Sequence, residues 1–291
     1  MAGPAPSSRL KIIDPLTNPT AHGGSAEDAF HLVIPSLPGY GFSGKPTTTG
    51  WGPERIAQAW TTLMRRLGYE YFVAQGGDWG AVITDLIGVQ APPELLGIHT
   101  NMPGAIPVEI DQASFGGAPA PAGLSDEEMN TYERLVFFYK HVHYAFEMGT
   151  RPQTLTALAD SPIGLATFLL DHDASSLEMI ARSFDGQAEG ITPDDFLDNV
   201  TLFWLTNTGV SSSRLYWENK LGFFSPKGVK VPTAVSVFPD EIYGTSRNWA
   251  ERAYPNLVHY NKVEKGGHFA AFEQPTLLVK ELRAGFRSLR S

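Results

Sequence analysis

The most chemically suggestive stretch of this sequence is QGGDWG, in which Asp78 is surrounded by glycines. The apolar run before it, residues 71–74, predicts a buried strand, and the apolar run after it, residues 81–87, predicts a helix packed on a sheet. A sharp strand-to-helix turn flanked by small residues is typical of a nucleophile elbow. We therefore expect Gly76 and Gly80 to let the strand and the helix approach each other, with Asp78 at the strained tip.

A carboxylate at such a tip predicts a particular chemistry. An aspartate with an ordinary pKa of about 3.9 is already an anion at neutral pH, so it can attack without first losing a proton to a base. Attack on a saturated carbon gives an alkyl ester, and the substrate should therefore carry an electrophilic sp3 carbon with a leaving oxygen or halide. The alternative is that Asp78 only caps the following helix, and the short motif alone does not decide between the two.

Hydrolysis of an aspartyl ester needs an activated water, and histidine is the usual base. Of the eight histidines, His268 is the best placed, because it follows two glycines in a loop after the last apolar strand. The alternative is a buried or loop histidine without a chemical role. A base needs an orienting acid, and the motif FPDE offers both Asp240 and Glu241 at the end of the preceding strand.

The pattern of strands and helices predicts an α/β fold with a mainly parallel sheet. Besides residues 71–74, the apolar runs at 31–34, 95–99, 231–238 and 257–260 predict strands. Helical patterns, the longest at 127–147, dominate between residues 105 and 230. We therefore predict a core in two parts, 1–104 and 231–291, with a helical cap inserted at 105–230. The order nucleophile, acid, histidine is that of the α/β-hydrolase fold.

Composition narrows the functional classes. A net charge of −9 argues against nucleic acid as a partner. The absence of cysteine excludes disulfides and thiolate metal sites. No apolar run reaches the roughly 18 residues of a membrane span, and the first residues lack a hydrophobic signal core. These features predict a cytoplasmic enzyme without a membrane anchor; the oligomeric state stays open, a homodimer being one alternative.

Several longer motifs, taken together, resemble an epoxide hydrolase of the α/β-hydrolase superfamily, in the branch of the microsomal and juvenile-hormone enzymes and their bacterial relatives. The motifs are PSLPGYGFSG, GGDWG, TRPQTL, DSPIGLA, SSSRLYWEN, FPDE and KGGHFAAFEQP. They cover nearly the whole chain from Leu10 onward, and their joint occurrence in order is more specific than any one of them. The resemblance implies hydrolysis of an apolar epoxide to a vicinal diol, a role such as detoxification, and no cofactor or metal.

The resemblance also implies roles for the triad residues. Asp78 would attack an epoxide carbon, and His268 would activate the hydrolytic water. Glu241 matches the charge-relay acid better than Asp240 does. Trp79 would offer its backbone N–H to the ester oxyanion, and its indole would line the pocket.

Two further residues, Tyr144 and Tyr216, occupy the positions of the two cap tyrosines that bind the epoxide oxygen in this family. Two phenols with pKa values near ~10 can stabilise or protonate the alkoxide that ring opening creates. Without the resemblance, packing roles would be favoured for both tyrosines.

One part of the family pattern is absent from the sequence. The family has a His-Gly-x-Pro loop, after a strand that would precede Leu10, which supplies the other oxyanion contact. The only His-Gly here is His22-Gly23, which lacks the proline. The pattern predicts that N-terminal strands are missing, with a gap or a re-paired junction between the strands of Val33 and Val73. One oxyanion donor is worth about 2.7–4 kcal/mol, so ester hydrolysis would fall by ~10²–10³.

Three other functions compete with epoxide hydrolysis. A haloalkane dehalogenase shares the aspartate, the histidine and a tryptophan after the nucleophile, and there Trp79 would bind halide. A non-catalytic homologue that binds apolar ligands is favoured by the absent loop. Metal-dependent hydrolysis, suggested by His141 and His143, lacks a matching set of carboxylates.

Overall fold

The computed structural model describes residues 10–187 and 190–290, and its central feature is a four-stranded sheet. The strands are β1 (Phe72–Gly76), β2 (Leu95–Thr100), β3 (Thr233–Val237) and β4 (Leu257–Lys262), which neighbour one another in that order. All three pairs are parallel. The carboxyl ends of the strands therefore share one edge, where sheets of this kind place their ligands. The α/β class predicted from the sequence is confirmed.

Helices account for most of the remaining regular structure. The α-helices are α1 (Leu10–Thr17), α2 (Pro53–Arg66), α3 (Trp79–Gln90), α4 (Val108–Gly116), α5 (Asp126–His141), α6 (Tyr144–Thr150), α7 (Pro162–Leu170), α8 (Ala174–Phe184), α9 (Pro193–Leu205), α10 (Ser213–Glu218), α11 (Arg247–Ala253), α12 (Ala270–Glu273) and α13 (Pro275–Phe286). Short 3₁₀ helices lie at Pro19–His22, Ala26–Asp28, Pro152–Ala159 and Arg287–Leu289. No helix in the described ranges is both long enough and apolar enough to cross a membrane.

The chain divides into two compact units. One contains the described parts of Met1–Thr49, Tyr144–Glu218 and Phe269–Arg283, and the other contains Gly50–His143, Asn219–His268 and the end of the chain from Ala284. The whole sheet belongs to the second unit, together with α2 to α5 and α11, and α6 to α10 belong to the first. The predicted boundaries of the cap, 105–230, and of the core, 1–104 and 231–291, stay a prediction.

The helix predicted at 127–147 is instead two helices. Helix α5 begins at a capping box, in which Ser125 and Glu128 each bind the other's backbone N–H. It ends at His141 because Val142 is extended, with φ −106° and ψ 98°. Helix α6 then starts afresh at Tyr144. The break matters because it makes Tyr144 the first residue of a helix.

The strand predicted at 31–34 is wrong. This segment forms no β-ladder, and its four residues are half-buried or exposed, with Ile34 37% exposed. A short apolar run shows only a tendency toward extended structure, since a strand also needs a neighbour to pair with. The first strand among the described residues is β1, which forms one edge of the sheet.

Candidate active site

Asp78 lies at the tip of a tight turn between β1 and α3. Its φ of 53° and ψ of −132° are values that residues with a side chain rarely adopt. Such local strain is concentrated at functional sites. Gly76 is required here, because an added Cβ would lie 1.9 Å from the Gly80 carbonyl oxygen. At Gly80 an added Cβ would meet nothing within 4 Å, so the close approach depends on Gly76 and not on a small residue at both positions.

The side chain of Asp78 does not act as a cap for α3. It makes no capping hydrogen bond to the helix, although it precedes the first helical residue. It is 7% exposed, and its Oδ2 lies 3.7 Å from Nε2 of His268. The contact with His268 therefore explains this carboxylate better than helix capping does.

His268 is held by Glu241 on its other ring nitrogen. Nδ1 lies 2.6 Å from Oε1 of Glu241, and the same oxygen accepts a hydrogen bond from the N–H of Ile242 at 2.8 Å. Burial disfavours a charge on the imidazole, but the carboxylates of Glu241 and Asp78 outweigh it and raise the pKa of His268 well above its ordinary value. The two carboxylates therefore favour the protonated form of the ring.

The structure places Glu241, and not Asp240, against the histidine. Asp240 is exposed, and its backbone forms a parallel bridge with Gly267. Gly266 has a φ of 101°, and a Cβ on Gly267 would lie 2.9 Å from the Asp240 carbonyl oxygen. Both glycines before His268 are therefore needed to bring the loop alongside the end of β3.

Trp79 is buried directly after Asp78, and its indole packs edge-on against Phe223, with ring centroids 4.9 Å apart. As the first residue of α3, it has a backbone N–H that helix geometry leaves without an acceptor in the helix. Such an N–H is the type of donor that an oxyanion needs. Phe223 was not identified from the sequence, because nothing in its neighbourhood distinguishes it from core packing.

A buried polar cluster behind the elbow was also missed. Asp85, on α3, is 1% exposed and accepts hydrogen bonds from the Tyr254 hydroxyl at 3.2 and 3.1 Å. Burial raises the pKa of Asp85 to about 7, against the opposing effects of Lys227 and Tyr254. Nζ of Lys227 donates to the carbonyl oxygens of Phe223 and Ser225 at 3.0 and 2.6 Å. A charged residue within the apolar run 81–87 was the signal that could have revealed it.

The two predicted tyrosines meet in the other unit. Tyr144 begins α6 and is buried, and Tyr216 lies on α10. Their rings are close to perpendicular, at 77°, with centroids 6.2 Å apart, and the hydroxyl oxygen of Tyr216 is buried. Two residues 72 positions apart in sequence thus form one pair of phenols.

The histidines considered as metal ligands, His141 and His143, are not part of a metal site in the described structure. His141 packs on Phe137, and the described residues contain no cluster of three or more potential metal ligands.

Asp78 lies on a strained strand–helix elbow, and the pair of Glu241 and His268 follows later parallel strands. This arrangement defines an α/β-hydrolase with an acidic residue at the nucleophile position. No family model matches the chain. A protein of Stigmatella aurantiaca named "Putative epoxide hydrolase" is 45% identical over 97% of this chain and 62% of its own length. "Epoxide hydrolase 1" of Oryctolagus cuniculus is 34% identical over 94% of this chain and 63% of its own length.

The solved structures that are similar to this chain also include epoxide hydrolases. The juvenile hormone epoxide hydrolase of Bombyx mori superposes with a TM-score of 0.81 at 28% identity, over 98% of this chain and 70% of that one. An Aspergillus niger epoxide hydrolase gives 0.75 at 26% identity. The chain is therefore similar in sequence to proteins named epoxide hydrolases, and it has the α/β-hydrolase fold of the solved ones. It spans less than two thirds of the length of the two curated relatives described above.

Proposed function

We propose that this chain hydrolyses an apolar epoxide to a vicinal diol through a covalent ester on Asp78. The main support is the arrangement of Asp78, His268 and Glu241, with the histidine 3.7 Å from one carboxylate and 2.6 Å from the other. An aspartate, a histidine and a glutamate are residue types that can serve as nucleophile, base and orienting acid. Their chain order, nucleophile, acid and histidine, is that of the α/β-hydrolase fold.

In the first step, one carboxylate oxygen of Asp78 attacks an epoxide carbon while the C–O bond of the ring breaks. A phenol of the pair Tyr144 and Tyr216 protonates the resulting alkoxide. One tyrosine O–H bond breaks, and the O–H bond of the product alcohol forms. Phenols suit this step because their ordinary pKa of about 10 lies well below that of an alcohol.

The second step follows from the loss of charge on Asp78. Once Asp78 is an ester, His268 keeps only Glu241 as a counter-ion, so its pKa falls and Nε2 can release a proton. That proton replaces the phenol proton through solvent. The neutral imidazole then takes a proton from water, and hydroxide adds to the ester carbonyl. The ester C–O bond at the Asp78 carbonyl carbon breaks, and the leaving alkoxide takes the proton of the added hydroxyl, so that the carboxylate is restored and the diol is released. The backbone N–H of Trp79 is the proposed donor to the oxyanion of this step.

The tyrosine pair favours an epoxide over a halide as the substrate. A halide leaving group departs as an anion and needs no proton, so a dehalogenase would have no use for two adjacent phenols. Replacing both tyrosines by phenylalanine should therefore abolish epoxide turnover while sparing any dehalogenation. The proposed substrate class is an apolar epoxide, in keeping with relatives named juvenile hormone epoxide hydrolases. A role in detoxification, the cytoplasmic location and the homodimer stay predictions.

A trapped ester tests the proposal directly. His268→Gln should still be alkylated by styrene oxide but should not hydrolyse the ester, so its intact mass should rise by one substrate. Peptide mapping should place the adduct on Asp78, and Asp78→Ala in the same background should remove it. The unsubstituted chain should release styrene diol. A folded His268→Gln protein that never gains the adduct, or gains it elsewhere, would overturn the covalent mechanism.

A further inference from the structure

A buried histidine packs face to face with Tyr144. The imidazole of His172 and the ring of Tyr144 are inclined by only 30°, with centroids 5.1 Å apart. His172 is 3% exposed and also contacts the ring of Phe269, with centroids 5.2 Å apart. This histidine lies between α7 and α8 and belongs to none of the motifs identified from the sequence. One of the two tyrosines of the proposed function therefore rests on a titratable ring.

His172 is paired with a carboxylate that is itself held as an anion. Its Nδ1 lies 2.5 Å from Oδ2 of Asp173. Asp173 caps α8, accepting hydrogen bonds from the backbone N–H of Ser176 at 2.9 Å and from its hydroxyl at 2.6 Å. Burial opposes the charge of Asp173, but the contacts with His172 and Ser176 outweigh it and hold its pKa well below the usual range. The positive end of the helix dipole acts in the same direction.

An anion at hydrogen-bond distance favours the protonated imidazole. A cation against the face of a phenol ring stabilises negative charge on its oxygen, because the electrostatic attraction is little screened in a buried site. The same stack fixes the plane of the Tyr144 ring, which decides where its hydroxyl points. Asp173 contacts the stack on the histidine side, and Tyr216 contacts it on the tyrosine side.

We propose that His172 is a positioning residue for Tyr144: held protonated by Asp173, it orients the phenol and makes it a stronger acid toward the alkoxide. This inference rests on the role proposed above for Tyr144. When the phenol gives its proton to the alkoxide, the O–H bond of Tyr144 breaks, and the transient phenolate faces the imidazolium until it regains a proton from solvent. The alternative is that His172 is only a packing residue and that Asp173 only caps α8.

Two substitutions distinguish a positioning role of His172 from simple packing. His172→Phe keeps a ring of similar size in the stack but cannot carry charge. Asp173→Asn keeps a good helix cap, because asparagine also accepts from the N–H of Ser176, but it removes the anion. Asp171→Asn, at an exposed neighbouring carboxylate, is the matched control. Thermal unfolding of each variant should confirm that all three fold.

The experiment combines an NMR titration with single-turnover alkylation rates measured between pH 6 and pH 10. The His172 Cε1–H resonance, assigned by its loss in His172→Phe, should titrate at a midpoint at least about one pH unit lower in Asp173→Asn. The alkaline limb of the alkylation rate should move down by the same amount in Asp173→Asn and disappear in His172→Phe. His172→Phe should be slower by about tenfold or more with an unchanged KM. Asp171→Asn should change none of these quantities.

The outcomes distinguish this inference from the proposed function. If Tyr144→Phe alkylates as fast as the unsubstituted chain, the proposed role of Tyr144 fails. If Tyr144→Phe is slow but His172→Phe and Asp173→Asn keep the original rate and pH profile, His172 is only packing and the inference is overturned. If the inference holds, adding His172→Phe to Tyr144→Phe should cause little further loss, because both substitutions act through one phenol.

Discussion

Nδ1 of His268 lies 2.6 Å from Oε1 of Glu241, and each side chain is only 2% exposed. A carboxylate in this position fixes the tautomer of the ring and stabilises the imidazolium. The exposed neighbour Asp240 offers the same chemical group one residue away without touching the ring, so the pair provides an internal comparison.

Glu241→Gln should slow hydrolysis of the ester by about 10²–10⁴-fold, the usual contribution of acid–base catalysis, because the imidazole loses its counter-ion and its fixed orientation. Alkylation of Asp78 should be affected less, so the ester should accumulate. Asp240→Asn is the matched control and should stay within about twofold of the original chain on this scale. Rapid-quench measurement of alkylation and of ester hydrolysis checks this prediction. Equal losses of the hydrolysis rate in both variants would show that Glu241 does not act through its contact with the His268 ring.

The raised pKa of His268 also predicts how stability depends on pH. Because the folded-state pKa lies above the unfolded value of about 6.5, the stabilisation is fully present below pH 6.5 and is lost as the pH rises through the folded-state pKa. Urea unfolding between pH 6 and pH 10 should show this decline. In His268→Gln the part of the decline due to this residue should be absent, and an identical slope in both proteins would contradict the assignment.

The two glycines of the elbow should respond in opposite ways to alanine. A Cβ at position 76 would lie 1.9 Å from the Gly80 carbonyl oxygen, so Gly76→Ala should cost more than about 3 kcal/mol or prevent folding. Gly80→Ala meets no atom within 4 Å and lies in the first turn of α3, where alanine is the better helix former by up to about 1 kcal/mol. Denaturant midpoints measure both, and a Gly80→Ala protein as unstable as Gly76→Ala would refute the proposed geometry.

The sequence was sufficient for the elements with strong local signals. The elbow at Asp78 and the loop before His268 are flanked by glycines because the backbone there adopts unusual dihedrals or approaches another strand closely, and both features are visible as residue types. Strands β2 and β3 were predicted for a similar reason, since both are largely buried apolar runs, whereas β4 was predicted from the short apolar start of a strand that is half-buried or exposed.

Features that depend on distant partners could not be predicted in this way. Residues alone left Asp240 and Glu241 as equal candidates, because which of two adjacent side chains faces His268 depends on the bridge between Asp240 and Gly267. Residues 31–34 have the composition of a strand but no ladder. The stack of His172 on Tyr144 joins residues 28 positions apart, one between α7 and α8 and the other on α6, and no local pattern marks it.

The buried carboxylate of Asp85 and the half-buried ammonium of Lys227 predict a stability change whose size depends on pH. Both side chains face Gly104, where an added Cβ would lie 2.8 Å from Oδ2 of Asp85 and 2.9 Å from Nζ of Lys227. Asp85 has a raised pKa of about 7, so the folded protein loses stability as the pH rises from the unfolded value of 3.8 through 7. Lys227 limits that loss by stabilising the ionised carboxylate.

Lys227→Met should therefore cost little at pH 5.5, where Asp85 is protonated in the folded protein. At pH 8.5 it should cost more, up to about 3–5 kcal/mol, the range for removal of one partner of a fully buried ion pair. Asp85→Asn combined with Lys227→Met should cost much less at pH 8.5, because no buried charge then remains in the pair. Urea unfolding at the two pH values measures these differences. An equal cost at both would mean that Lys227 stabilises the fold through its bonds to the Phe223 and Ser225 carbonyls and not through the charge of Asp85.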